Sequence, residues 1–495
     1  VAKRALRIHP EDDVAVVLEE VSPGEEVEAE GASVVALERV ERGHKVALRP
    51  LERGRLVVKY GFPIGRAKLD IPAGSWVHSH NLESALSEGE VYSYGGPKGW
   101  RAPRAKDRSF MGYRRPDGSV GIRNEIWVIP TVGCINDLCR GLALWAKGAF
   151  GDGVEDVVAL THPFGCSQLG DDHERTRRVL ASLACHPNAC GVLLVGLGCE
   201  NNQLEELMEL IDPPFRWKVR SMVVQRERDE VEVGKGLLGE LRELASGFER
   251  EEIHLGELVL GLKCGGSDAF SGITANPLVG RVCDEVIALG GSALLSEVPE
   301  MFGAERTLME RAESLEVFSA IVDLIEGFKR YFTSNGHPVY ENPSPGNRAG
   351  GITTLEEKSL GCVQKGGSSP VVDVIPYGGR TRKRGLSLLE APGNDLVSST
   401  ALAAAGAHLV LFTTGRGTPY GTVVPTLKIS SNGELASGKP RWVDFDAGRL
   451  LSGESAEALA EEMLELVVQV ASGKRTKNEE NGHKGIAIWK DGVTL

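Results

Sequence analysis

From Gly112 onward, short apolar runs alternate with stretches of helical periodicity, which restricts the chain to an α/β architecture with a largely parallel sheet. The runs are Ile126-Val132, Val157-Leu160, Val192-Val195, Met222-Val224, Leu258-Leu262 and Ala293-Leu295, with helix-like segments at 171–184, 234–246 and 276–289. An amphipathic stretch over roughly 304–333 closes this region, and a Gly/Pro-pinned loop at 335–351 leads into a second α/β segment. That segment has strands at Val371-Ile375 and Leu409-Thr413 and a last helix near 454–471. Residues 1–83 follow another pattern, with short apolar runs cut by turns such as Pro23-Gly24 and Arg53-Gly54, the pattern of a small β domain. The expected division is therefore 1–83, a polar linker at 84–111, a central α/β domain at 112–334 and a C-terminal α/β domain at 335–495.

One corner recurs in this frame: an apolar run ends in Gly and Cys, followed by polar residues. The instances are Gly133-Cys134, Gly165-Cys166, Gly198-Cys199 with Glu200, and Cys264-Gly265; Gly361-Cys362 lacks so clear a strand before it. Ligands of open parallel sheets bind beyond the carboxyl ends of the strands, and the helix that follows offers free N–H groups to an anion. If these strands share one sheet, the corners face one crevice. A single free cysteine often merely packs, but five copies of one corner are harder to attribute to packing. Cys139, Cys185, Cys190 and Cys283 lack the corner and read as structural.

His78 and His80 are one residue apart, so in a strand they share a face and can present two imidazoles to one metal or one reacting group. His162 lies four residues before Cys166. Arg123, Asn124, Lys365 and Arg416 sit in loops able to receive a hydroxylated anion, and Glu297 and Glu300 follow the run at 293–295.

Bulk properties exclude other classes. A net charge of −13 gives no electrostatic reason to seek nucleic acid or anionic lipid. The N-terminus lacks the apolar core of a signal peptide, and no run is long enough to span a membrane. Nine cysteines in so long a chain argue against a disulfide framework and for a cytoplasmic protein. The pair Gly196-Gly198 lacks the third glycine of a dinucleotide site, and there is no phosphate-binding loop with Gly-Lys-Ser/Thr.

The stretches VKYGFPIGRAKLDIPAGSWVHSHN, GIRNEIWVIPTVGCIN, HPFGCSQLGDDH, GLGCENNQ, CGGSDAFSGITANP, YENPSPGNRAGGITTLEEKSLGCVQK and LFTTGRGTPYG carry a resemblance to the altronate/galactarate dehydratase family along nearly the whole chain. The resemblance implies a first domain of the SAF or β-clip type and a metal-assisted hydro-lyase of hexuronate catabolism. Its reaction would be loss of water from D-altronate to give 2-keto-3-deoxy-D-gluconate, with a divalent metal, Fe²⁺ favoured and Mn²⁺ allowed. The resemblance carries over no catalytic list; from the residues themselves His78, His80 and His162 are expected to be catalytic, and Cys166, Cys199, Glu200 and Cys264 to hold the metal. Arg123, Asn124, Lys365 and Arg416 are expected to bind substrate. Thiolate and imidazole suit iron better than magnesium. The alternatives at this stage are galactarate or glucarate as substrate, sulfite loss from sulfolactate, an iron–sulfur cluster on strand-end cysteines, and a sugar-acid binding or redox-sensing protein. The expected partner is a small sugar acid, with no nucleic acid and no membrane; a homo-oligomer is allowed.

Overall fold

Short strands joined by tight turns build the first part of the chain in the computed structural model, which describes residues 2–86, 91–97, 99–151 and 153–495. Lys3–Leu6, Val14–Val17, Glu26–Ala29, Ala32–Val35, Lys45–Ala47 and Trp76–Val77 form a six-stranded sheet. Leu56–Lys59, Phe62–Ala67 and Leu82–Glu83 form a three-stranded one beside it. One turn shows why glycine is required: Gly74 has φ 83°, and a Cβ there would lie 2.0 Å from the carbonyl oxygen of Val35. Of the expected linker, residues 87–90 and 98 lie outside the described residues; other parts of it touch the body of the molecule. Tyr92 donates to Glu305 at 2.8 Å and Trp100 to Ser368 at 3.2 Å.

Two separate parallel sheets follow. The middle sheet has the spatial order Asp156–Ala159, Glu125–Pro130, Ala189–Gly196, Val219–Val223. All its pairings are parallel, and Ala189–Gly196 is buried at every position, as a strand covered on both faces must be. The second sheet has seven strands in the order Val371–Ile375, Gly385–Leu389, Ser292–Leu295, Val259–Cys264, Leu409–Thr414, Thr426–Ser430, Phe445–Asp446. It is parallel throughout. This corrects the expected grouping of 112–334: Val259–Cys264 and Ser292–Leu295 pair with strands far along the chain, not with those before them. Local alternation identifies a strand but carries no information on which sheet it enters.

Each sheet has a place where neighbouring strands send their connections in opposite directions, the position at which open sheets form a crevice. In the middle sheet it lies between Glu125–Pro130 and Ala189–Gly196, and in the large sheet between Val259–Cys264 and Leu409–Thr414. Among the described residues no helix is long and apolar enough to cross a membrane.

Candidate metal centre

Val259–Cys264 is an apolar strand with one exception, Lys263, whose side chain is fully buried. A buried ammonium demands acceptors. Lys263 finds them in the carboxylate of Glu297, in Asp395 at 2.9 Å and in the carbonyl of Cys264 at 2.6 Å. Glu297 lies just past the neighbouring strand Ser292–Leu295 at φ 69°, a left-handed conformation that costs a non-glycine residue energy and that the surrounding contacts must hold. There its carboxylate also accepts from the Cys264 N–H at 3.0 Å and from Lys365 at 3.3 Å.

Three residues on, Glu300 carries the centre. Its Oε2 accepts from the thiols of Cys264 at 3.1 Å and Cys362 at 3.0 Å, and its Oε1 pairs with Lys358 at 2.8 Å. The two sulfurs are 3.3 Å apart. Burial pushes the Glu300 carboxyl up, but Lys358, Lys263 and Lys365 outweigh it and hold it well below the usual range. The bond with Cys264, and then burial, push the Cys362 thiol well up.

This donor set fits a divalent cation on two counts. Among the described residues Cys264, Glu300 and Cys362 form the one group of three or more ligand-type side chains converging closely enough to share an ion. Thiolates about 2.3 Å from a tetrahedral ion need a sulfur separation only about half an ångström wider. Charge points the same way. The ammoniums of Lys263, Lys358 and Lys365 face the carboxylates of Glu297, Glu300 and Asp395, so the cluster is neutral while both thiols keep their protons. Loss of both protons leaves two negative charges, which one divalent cation matches.

Cys362 reaches this place on the helix Leu355–Cys362, which is buried at every position and begins with Thr354 accepting from the Glu357 N–H at 3.3 Å. Successive residues of the helix face different parts of the molecule. Glu356 takes Ser84 at 3.0 Å and the Ala85 N–H at 2.6 Å. Glu357 takes two lysines of the first domain, Lys45 at 2.9 Å and Lys59 at 2.7 Å, and Lys358 takes Glu300. Burial pushes the Glu357 carboxyl up; Lys45 and Lys59 overcome it and hold the group down to about 2. A small cavity lies at this seam, lined by Lys59, Tyr60, Asp268, Glu357, Lys358 and Cys362.

The first domain also brings its histidines here. His78 is buried, and its Nδ1 lies 2.9 Å from the Thr353 hydroxyl of the C-terminal body. The ring stacks on Trp76 and meets His44 edge-on. Burial, then Lys45 and His44, push it down to about 4, so the imidazole is neutral. His80 is exposed beside Trp76. Lys365 belongs to the centre, but its ammonium is buried on Glu297. Arg416 is exposed on the loop across the large-sheet crevice, its N–H donating to Gly266 at 2.8 Å.

Other expected residues stand apart from the Cys264 centre. His162 is buried with both ring nitrogens committed, Nε2 to the Pro130 carbonyl at 2.9 Å and Nδ1 to the Phe164 N–H at 3.2 Å. Arg123 has its guanidinium saturated by Glu479 and by the carbonyls of Ile122, Val470 and Lys474, tying the middle domain to the C-terminal body. Asn124 is spent on Arg115, Gly153 and Ala245. Cys166, Cys199 and Glu200 lie on the middle sheet and form no close ligand group with Cys264. Glu200 is occupied by the Thr131 hydroxyl and the N–H groups of Leu197 and Gly198. The expectation of one common crevice is corrected to two, because the strands divide between sheets. Lys263 and Lys358 were missed by the sequence reading. A lysine closing the run Val-Leu-Gly-Leu-Lys-Cys was the available signal, since such a lysine must be paired.

Comparison with known proteins covers the chain in three parts. Residues 3–85 match the altronate/galactarate dehydratase SAF domain. Residues 112–246 match the D-galactarate dehydratase/altronate hydrolase second domain, and 255–494 match the D-galactarate/altronate dehydratase C-terminal domain. The chain is 50% identical over 497 residues to altronate dehydratase of Bacillus subtilis, with all of both chains covered. It is 49% identical to altronate dehydratase of Escherichia coli over 99% of each chain. Identity to the L-threo-forming galactarate dehydratase of Escherichia coli is 32%, over 98% of this chain and 96% of that one.

Proposed function

This chain belongs to the altronate/galactarate dehydratase family, and we propose that its reaction is the dehydration of D-altronate to 2-keto-3-deoxy-D-gluconate. The observation that carries the choice of substrate is the full-length identity near one half to two altronate dehydratases, against 32% to a galactarate dehydratase. The donor set of Cys264, Glu300 and Cys362 supports a divalent cation, and its two sulfurs favour Fe²⁺ over Mg²⁺, with Mn²⁺ allowed.

The reaction removes the proton on C2 and the hydroxyl on C3, and the enol so formed becomes the keto group without a redox cofactor. A cation bound at this centre would supply charge stabilisation for an acid group whose neighbouring carbon is losing a proton. His78 is the proposed base: its neutral ring is fixed through Nδ1 on Thr353, leaving Nε2 to accept a proton. An adjoining substrate carboxylate would raise its basicity. His80 is the proposed donor to the departing hydroxyl, and Arg416 the proposed partner of the substrate carboxylate. The lysines fix both carboxylates, Glu297 and Glu300, in place, and Lys358, Lys263 and Lys365 together hold Glu300 ionised.

The test is anaerobic reconstitution with Fe²⁺, Mn²⁺ or Mg²⁺, followed by detection of 2-keto acid from altronate, galactarate and sulfolactate. Product from altronate, fastest with Fe²⁺, is expected. No product from altronate with any of these metals would sink the assignment. His78→Gln should lower kcat by about 10²–10⁴ without changing the melting temperature.

A further inference from the structure

The chain has nine cysteines, and the three that are exposed, Cys134, Cys166 and Cys199, all occupy loops at the carboxyl ends of adjacent strands in the middle sheet. Free cysteine is among the most buried residue types, so three exposed thiols gathered on one sheet edge need a reason. The loops of Cys134 and Cys199 flank the crevice position of that sheet, and the Cys166 loop follows the strand beside them.

The loops are built as one piece. The Gly133 N–H donates to Phe164 at 2.8 Å, the Asn202 N–H to Gly165 at 2.9 Å, and the Ser167 N–H to the Asn201 side chain at 2.9 Å. Gln225 reaches the Cys199 sulfur at 3.3 Å. Gly165 has φ 102°, and a Cβ there would lie 2.0 Å from the Thr131 carbonyl oxygen; Ser167 is itself left-handed at φ 57°. Interlocked backbone, with Ser167 held left-handed beside Cys166, fixes where the sulfurs stand. Two helices, Asn136–Ala149 and Gly170–Ala184, begin just after Cys134 and Cys166, adding positive dipole ends near a negatively charged ligand set.

The three sulfurs do not converge within the reach of a single ion, whereas the Cys264 group does. Thiolates that hold an iron–sulfur cluster bind different irons and stand further apart than the ligands of one metal ion. We propose that Cys134, Cys166 and Cys199 bind a four-iron, four-sulfide cluster, one thiolate to each of three irons. The fourth iron is open to an oxygen ligand from water or from a small hydroxy acid. The hydroxy-acid ligand, and only that part, rests on the dehydratase reading.

The test uses the full chain produced anaerobically, or reconstituted with ferrous iron and sulfide, and requires no activity. About four acid-labile sulfides per chain are expected, with about four irons beyond the one the Cys264 centre can take, and a broad visible absorption that Cys134→Ser, Cys166→Ser and Cys199→Ser each abolish while the circular dichroism spectrum is kept. Cys264→Ser should leave that absorption intact. Iron bound without sulfide would overturn the proposal, as would a cluster that survives Cys166→Ser or disappears with Cys264→Ser. Altronate added to the reduced cluster should shift its electron paramagnetic resonance. An unshifted signal from an intact cluster removes the hydroxy-acid ligand and leaves the three-cysteine assignment standing, and a chain with the cluster but no turnover separates this proposal from the dehydratase reading.

Discussion

The two parallel sheets end in opposite kinds of crevice. The middle sheet presents three thiols to solvent on backbone loops braced by amides. The large sheet seals two thiols among three lysines and three carboxylates, and the first domain closes over it. The difference teaches how position is enforced in each. In the open crevice the backbone does it, through glycines and left-handed residues; in the closed one charge does it, since each buried ion is tolerable only while its partner stays.

The largest expected contrast is chemical. On the cofactor-free native chain, a bulky thiol reagent should titrate Cys134, Cys166 and Cys199 on the order of a thousandfold faster than the six buried cysteines, which must wait for opening of the structure. Mass spectrometry of quenched samples reads this directly, and equal labelling of Cys264 would erase the distinction.

Next is stability. Glu300→Ala strands Lys358 in a buried site and should cost about 3–5 kcal/mol in urea unfolding. Glu200→Gln, which turns the charge-assisted hydrogen bonds from Thr131, Leu197 and Gly198 into neutral ones in the open crevice, should cost about 1–3 kcal/mol. If the two variants cost the same, charge does not hold the closed crevice.

The smallest effect is a pH dependence. Glu357 is lowered from 4.5 to about 2, so its stabilisation is fully present above pH 4.5 and is lost as pH falls through about 2. That shift corresponds to about 3 kcal/mol at most. Unfolding free energies between pH 2 and 6 should show this acid limb in the wild type and lack it in Glu357→Gln, while labelling of Cys134, Cys166 and Cys199 stays unchanged. A limb of equal size in the variant would assign the acid sensitivity elsewhere.

Much of the architecture was legible because it is local. Apolar runs and turn residues marked the strands, and Gly-Cys corners marked their tips. What could not be read was pairing: Lys263 and Thr413 lie 150 residues apart on neighbouring strands, and nothing in either stretch names the other. Cys362 looked like an incomplete corner because it closes a helix, not a strand. The histidines illustrate the same limit. Two separated by one residue suggest a shared face, but the strand ends at Val77 and only His78 is buried; His162 beside a cysteine corner looks functional until its two nitrogens are found bonded to the backbone of Pro130 and Phe164.

The pairing of Lys45 and Lys59 with Glu357 spans 312 and 298 residues of chain. During synthesis the first domain is therefore complete long before its counter-charge exists. It must wait with two cations that the finished molecule hides, and only when the helix carrying Glu357 has been made can it settle. The same settling sets Lys358 and Cys362, on that helix, at the centre. A chain cut short before residue 357 would retain the domain but not its resting place.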